Sequence, residues 1–336
     1  MIFRVAKFVL AILTFVTMSG FMGLKHHSTN CKDWDELTKE EKQVIESISL
    51  KVLENLKNKE IDKLWNSSHS AFRKAVSLSQ LSSFSESIIK RLDNIDGAKI
   101  LDSRVVTFKG SSNHKVVCGS VDTSSDKYLS FWGLDGIKKL VVSVVIIQSK
   151  PLERFLTLRF AEEDGLYKLF RFELGINSFK EKDAKYYEVL GDKWTKKDLY
   201  LPAVLAYNSA LNLSQLGQGV ENAQFLRISE KLKSSSETEI FKSEIQKWSS
   251  QASDCQIIGI KFIESLFDIA PVINYVSSNK LNPSKTELEV DKMYNYFVNQ
   301  YPGVGNEFET FLFVAYGEFP KDPKKNYQVY RVPKTF

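Results

Sequence analysis

The sequence predicts an α+β fold: N-terminal helices packed on a curved antiparallel sheet, then a helical hairpin and a small C-terminal α+β unit. Three observations predict it. Between Thr38 and Leu92 apolar residues recur at helical spacing; from Ile100 to Leu174 they alternate with a period of two; beyond Leu199 helical spacing returns before a final mixture of both.

Thr38 and Glu41 make a capping box ahead of Ile45, Ile48, Val52 and Leu56, which predicts a long first helix broken at Asn58. Ile61, Leu64 and Trp65 continue as a short second helix. Ser77 or Ser79 caps a third, with Leu81, Phe84, Ile88 and Leu92 on its apolar face, and Asp96-Gly97 ends the helical part. Strands of an antiparallel meander are then expected at 100–108, 115–121, 127–132, 137–148, 152–161 and 166–174. The nearly unbroken apolar run 140–147 reads as a central strand covered on both faces, with the helices covering one.

One turn decides which face each side chain takes. A two-residue loop, Asp164-Gly165, would oppose Leu158 to Arg171 and Thr157 to Phe172. A three-residue loop, Glu163-Asp164-Gly165, pairs Leu158 with Phe170 and Leu156 with Phe172 and leaves one apolar face. The sequence therefore predicts the longer loop, a type I turn with Gly165 in the left-handed conformation.

Helices ending in Ala75-Val76-Ser77-Leu78-Ser79-Gln80-Leu81, followed by a sheet closing in Asp164-Gly165-Leu166-Tyr167-Lys168-Leu169-Phe170, resemble the nuclear-transport-factor-2-like superfamily, and more narrowly its bacterial exported domains, over residues 33–176. The resemblance implies a cone-shaped pocket. It leaves activity open, because that superfamily includes isomerases, dehydratases, binding modules and oligomerisation domains. Its isomerases set an acidic base opposite a tyrosine or a protonated acid. Asp122 and Tyr128 lie on neighbouring strand candidates here but read as solvent-facing strand ends. Trp65, Cys118 and Trp132 are the candidates for lining the pocket, with core filling as the alternative for the tryptophans, Trp194 included.

Residues 177–198 are dense in charge and read as a connector to a second domain, 199–336. There, 199–216 and 220–232 form a close-packed helix pair resembling a single tetratricopeptide-like hairpin, and Glu239, Phe241, Ile245 and Trp248 mark a third helix. Ile258, Ile260 and Phe262 alternate as a strand, and 272–276 is another. Ser284 with Glu287 caps a helix bearing Leu288, Met293, Tyr296 and Phe297, and strands at 310–316 and 327–332 complete the unit.

The N-terminus carries an address. Arg4 and Lys7 precede an uncharged apolar run of 17 residues, 8–24, followed by a polar segment, so residues 1–30 read as a signal peptide or an uncleaved signal anchor. Both place the rest outside: periplasmic, extracellular, or inner-membrane anchored with the bulk outward. A buried helix is the remaining alternative. Cys31 lacks the preceding leucine and adjoining small residue of a lipidation site.

Composition excludes several classes. The net charge is +5, or +3 without Arg4 and Lys7, and it is interspersed, so nucleic acid is not an expected partner. Cys31, Cys118 and Cys255 are too few for a disulfide framework and too far apart for a zinc cluster. One disulfide, Cys118 with Cys255, is weighed against two buried thiols. His69 and His114 lack partners at ligand spacing, and Ser67, Ser68 and Ser70 lack a nucleophile elbow. Gly217-Gln218-Gly219 and Gly303-Val304-Gly305 are turns rather than phosphate loops. No catalytic residue, metal or cofactor is expected. The reading is an exported, non-enzymatic binding or assembly protein of the cell envelope, its partner a protein or small-molecule ligand and its membrane contact confined to the N-terminal segment. The alternative is a small-molecule enzyme or carrier using the cone pocket, which requires an inward carboxylate or tyrosine.

Overall fold

The computed structural model describes residues 29–91, 97–109, 115–119, 128–133, 136–148, 150–217, 219–252, 255–264, 269–322 and 324–335. The leader-like segment, Leu92, Asp96, His114, Asp122 and Gln218 lie outside them. The described residues form two compact units: 29–188 together with Ala210–Lys231, and Val189–Ser209 together with Leu232 onward.

In the first unit the Thr38 hydroxyl accepts from the Glu41 N–H at 3.1 Å, and the Glu41 carboxylate accepts from the Thr38 N–H at 2.9 Å. This box starts α1 (Lys39–Lys57), which ends at Asn58 as the sequence requires. α2 (Ile61–Asn66), α3 (Ser70–Ala75) and α4 (Leu78–Arg91) follow. The three-helix expectation omits α3, whose one large apolar residue, Phe72, leaves no apolar repeat to read.

The strands of this unit are β1 (Thr29–Lys32), β2 (Gly97–Phe108), β3 (Lys115–Cys118), β4 (Leu129–Trp132), β5 (Lys139–Gln148), β6 (Leu152–Glu163), β7 (Leu166–Phe179), β8 (Lys182–Asp183) and β9 (Val220–Asn222). Six make a curled antiparallel sheet in the order β1-β2-β5-β6-β7-β8. The expected meander is corrected at β3 and β4, which leave this sheet for a small one of order β3-β4-β9. The helices cover one face, where Ile45, Val52 and Leu56 of α1 pack against Val141, Val145, Leu156 and Leu158. Val116, Phe131 and Val220 of the small sheet cover Val106, Leu140, Val142 and Ala161 on the other. Two apolar covers account for the unbroken run in β5.

The β6–β7 turn corrects the predicted loop. Glu163 pairs with Leu166, so only Asp164 and Gly165 form the turn, and both have positive φ, 55° and 76°. That is a type I′ turn, whose twist matches the strands it joins. Phe160 pairs with Leu169 but Arg159 with Arg171, leaving Phe170 as a bulge. The extra residue moves Arg171 and Glu173 off the helix-facing side and brings Leu158 opposite Phe172. One apolar face is reached by a bulge rather than by a longer loop.

α5 (Ala184–Thr195), α6 (Tyr200–Ser214) and α7 (Ala223–Ser236) follow, and the division between the units falls inside all three. This corrects the boundaries at 176 and 198: the supposed connector 177–198 completes β7 and forms β8 and α5. Lys185 and Lys193 lie on the solvated side of a helix whose Tyr187, Leu190 and Trp194 are buried, while Glu188 is buried and ion-paired with Arg227 and Lys231.

The second unit adds α8 (Glu239–Ser250), β10 (Gln256–Glu264), β11 (Ile269–Val276), α9 (Pro283–Gln300), β12 (Thr310–Tyr316) and β13 (Val329–Thr335). The sheet order is β10-β11-β12-β13, with β11 and β12 parallel and α9 as the crossover between them. Trp248 is fully buried, stacks on Phe297 with ring centroids 4.8 Å apart and donates its indole N–H to the Met293 carbonyl at 2.8 Å. The cap of α9 is Asn282, which accepts from the Lys285 N–H ahead of Pro283, rather than the expected Ser284. Leu288 is solvent-exposed, and Val290, Met293 and Phe297 form the buried stripe.

Cys31 is disulfide-bonded to Cys118, with Cα atoms 5.8 Å apart, and Cys255 is a buried free thiol. This corrects both readings weighed for Cys118 and Cys255: Cys118 is bridged, but to Cys31, and Cys255 alone is a buried thiol. Those two residues belong to different compact units, whereas Cys31 and Cys118 pack into the same core beneath β1–β2 and the small sheet.

Candidate ligand cleft beside the first helix

α1 buries Ile45, Ser49, Val52, Asn55 and Leu56 and leaves Ile48 half-buried and Lys51 exposed on its flank. That flank forms one wall of a cleft of about 560 Å³, closed by Leu64 and Ser67 from α2 and its cap and by Phe160, Tyr167 and Leu169 from the β6–β7 hairpin. The volume is that of a small-molecule site. The type I′ turn builds the floor, since it places Leu169 opposite Phe160 and Tyr167 opposite Glu162.

The walls differ chemically. Val52, Leu64, Phe160 and Leu169 are apolar and themselves buried. At the mouth Lys51 and Glu54 form an ion pair at 2.8 Å, which holds the lysine above its ordinary pKa and the carboxyl below its own. Burial raises the Tyr167 phenol, with Glu162 and Glu41 adding to the rise, so it stays protonated. Asn55 is 3% exposed, and its side-chain Oδ1 is buried with no hydrogen-bond partner.

Of the sequence candidates, none lines this cleft. Trp65 packs against the helix-facing core, donates its indole N–H to the Val76 carbonyl at 3.0 Å and carries the Arg73 guanidinium over its ring. Cys118 is held in the disulfide, and Trp132 is 54% exposed at the end of β4. The space between the helices and the curled sheet is filled by Leu53, Leu56, Leu81, Val145, Leu158 and Phe172, among others. Its polar content includes a chain of hydroxyls: Ser49 and Ser103 lie 3.1 and 3.0 Å from Ser143. Tyr128 is buried just before β4.

His69 caps α3. Its Nδ1 accepts from the Ala71 N–H at 3.1 Å, and its Nε2 lies 3.9 Å from Glu163, whose own pKa is driven down to about 2, chiefly by the hydrogen bond from Lys168. Cys255 is pushed up to about 11 by burial and is a poor nucleophile at neutral pH. Among the described residues no group of His, Cys, Asp or Glu is placed to hold a metal ion, and no helix is long and apolar enough to cross a membrane.

Sequence reasoning misses Asn55, Lys51 and Tyr167 as site residues. The available signal is Asn55 itself, a polar residue following Ile48 and Val52 at apolar helical spacing. Neither a family model, nor a curated protein, nor a solved structure matches the chain.

Proposed function

We propose that the protein is an exported, non-enzymatic binding or assembly module of the cell envelope, periplasmic or extracellular or held at the inner membrane by its N-terminal segment. The N-terminal unit is, in this reading, a nuclear-transport-factor-2-like cone. The Cys31–Cys118 disulfide carries the proposal, because such bridges persist outside reducing compartments. The charged start and apolar run of the first 24 residues support it from the sequence. The packed cone interior favours binding over chemistry in the cone, since Leu56, Leu158 and Phe172 occupy the space a substrate would need. The cleft beside α1 provides a ligand surface instead.

The test is compartment and thiol state together. Cells are fractionated with alkylating agent present, and the protein is denatured without reductant and weighed. A single alkylated cysteine, Cys255, in an envelope or secreted fraction is the expected result. Three alkylated cysteines in a cytosolic, lipid-free fraction would overturn the proposal.

A further inference from the structure

We propose that the N-terminal unit rests one end of its main sheet on an anionic bilayer surface; this rests on the reading of the protein as an envelope module exported by its N-terminal segment. Three observations converge on that end. The first is reach. The apolar run of the N-terminal segment ends at Leu24 and β1 begins at Thr29, so while that segment is attached at most about 18 Å of chain separates the sheet from the lipid holding the run. Register fixes which end is tethered. Thr29 pairs with Phe108 at the close of β2, Thr107 with Lys139 at the start of β5, and Glu163 with Leu166 at the start of β7.

The second observation is charge. Lys109 follows Phe108 and Lys138 precedes β5; both are exposed, and the Phe108 N–H donates to the Lys138 carbonyl at 2.8 Å, which sets the two lysines side by side. At the same end Glu162 is paired with Lys139 at 3.4 Å, and Glu163 and Asp164 with Lys168 at 2.8 and 3.3 Å. Those carboxylates are compensated, while Lys109 and Lys138 have no ion pair among the described residues, so the surplus at this end is positive and matches lipid phosphates. The third is the tip of the β6–β7 hairpin. Its tight turn holds Leu166 at the tethered end with 64% of its surface exposed. A lone exposed leucine is unremarked on most proteins. Beside two uncompensated lysines it makes the pairing an interface binds, an apolar side chain entering the boundary of the acyl chains and ammonium groups reaching the phosphates on flexible stems.

The test uses the full chain, purified in whichever processed form the cells deliver. Leu166→Cys and Leu101→Cys variants are labelled with an environment-sensitive dye under native conditions, where the remaining free thiol, Cys255, is buried. Leu101 is 54% exposed and lies about 23 Å down β2 from Phe108, which makes it the control. Vesicles containing phosphatidylglycerol are expected to brighten the dye at Leu166→Cys and leave it unchanged at Leu101→Cys, and pure phosphatidylcholine vesicles to brighten neither. Adding Lys109→Gln and Lys138→Gln, both at exposed positions, is expected to leave the melting temperature unchanged and to weaken binding to phosphatidylglycerol vesicles about 25-fold, roughly fivefold for each lysine. Equal brightening at both dye positions, an equal response to neutral vesicles, or unchanged affinity without the two lysines overturns the inference. So does brightening at Leu166→Cys without vesicles that rises with protein concentration, which would make the surface a contact between copies. No response at Leu166→Cys in protein still found oxidised in an envelope or secreted fraction sinks this surface alone, whereas cytosolic protein with three thiols sinks the module reading independently.

Discussion

Cys31 and Cys118 join strands that are 87 residues apart in the chain. Cys31 sits on the short edge strand β1, paired only with β2, and Cys118 ends β3 in the small sheet. The bridge therefore closes a loop containing α1–α4 and β2.

Closing so long a loop restricts the unfolded chain strongly. Chain-entropy reasoning gives a ceiling near 4.6 kcal/mol for about 87 residues, and measured bridges usually deliver about 2–4 kcal/mol. The Cys31→Ser, Cys118→Ser double variant is expected to lose stability in that range and to show a steeper urea dependence, because its denatured state is more expanded. Matching urea midpoints for variant and parent would contradict this.

The Asp164-Gly165 turn yields a second expectation. A Cβ on Gly165 would meet nothing within 4 Å, so replacement by alanine is costly only through its φ of 76°. Gly165→Ala should cost about 1 kcal/mol, with Asp164→Gly close to neutral at a position of φ 55°. Because the turn sets Leu169 opposite Phe160, Gly165→Ala should also weaken whatever ligand the cleft holds. Thermal melts of the two variants decide it; equal losses at both positions would argue against a type I′ turn.

The same hairpin shows what the sequence carries and what it withholds. Thr38 and Glu41 lie three residues apart, so their capping box is local information and the helix start is legible. The demand for one apolar face along β6 and β7 is equally visible, but a longer loop and a bulge at Phe170 satisfy it alike, and only three-dimensional packing chooses. The departure of β3 and β4 into a sheet with β9 depends on a strand a hundred residues later, and alternation cannot report such a partner. Cysteine pairing follows from that same excursion, so Cys31 could not be assigned from spacing. For the cleft, Asn55 is readable as a misplaced polar residue, while its neighbours Phe160 and Tyr167 come from another element altogether.

His69 makes the first turn of α3 sensitive to pH. Only an unprotonated Nδ1 can accept from the Ala71 N–H, and burial lowers the ring's pKa below 6.5; Lys168 and Arg73 reinforce this against the opposing pull of Glu163. The folded state thus favours the neutral ring. Its contribution is complete above 6.5 and declines as pH falls from there through the lower folded value, because the unfolded chain takes up the proton first. His69→Asn keeps a capping acceptor and should flatten stability between about pH 7 and pH 5.5, while His69→Ala should cost about 1 kcal/mol at neutral pH. Urea midpoints across that window test it; an undiminished slope in His69→Asn would place the proton elsewhere.

Glu289 is 4% exposed on α9 and binds the turn that follows β11. Its carboxylate accepts from the Ser277 hydroxyl at 2.8 Å, the Ser278 N–H at 3.1 Å and hydroxyl at 2.7 Å, the Asn279 amide at 2.6 Å and the Tyr275 hydroxyl at 3.3 Å. Five donors from one short segment meet one buried anion, so the crossover helix and the sheet are tied at this point. Glu289→Ala strands those donors and should cost about 3 kcal/mol, whereas Glu289→Gln retains one acceptor oxygen and should cost roughly half as much. The Cys255 thiol supplies an internal reporter. It is pushed up to about 11 by burial first and then by the Glu289 charge, so native protein should resist alkylation. Loosening the turn in Glu289→Ala should expose the sulfur and remove the neighbouring negative charge, raising its alkylation rate under native conditions well above that of Glu289→Gln. Unchanged midpoint and unchanged labelling in Glu289→Ala would mean that the five contacts merely accompany the fold and do not hold it.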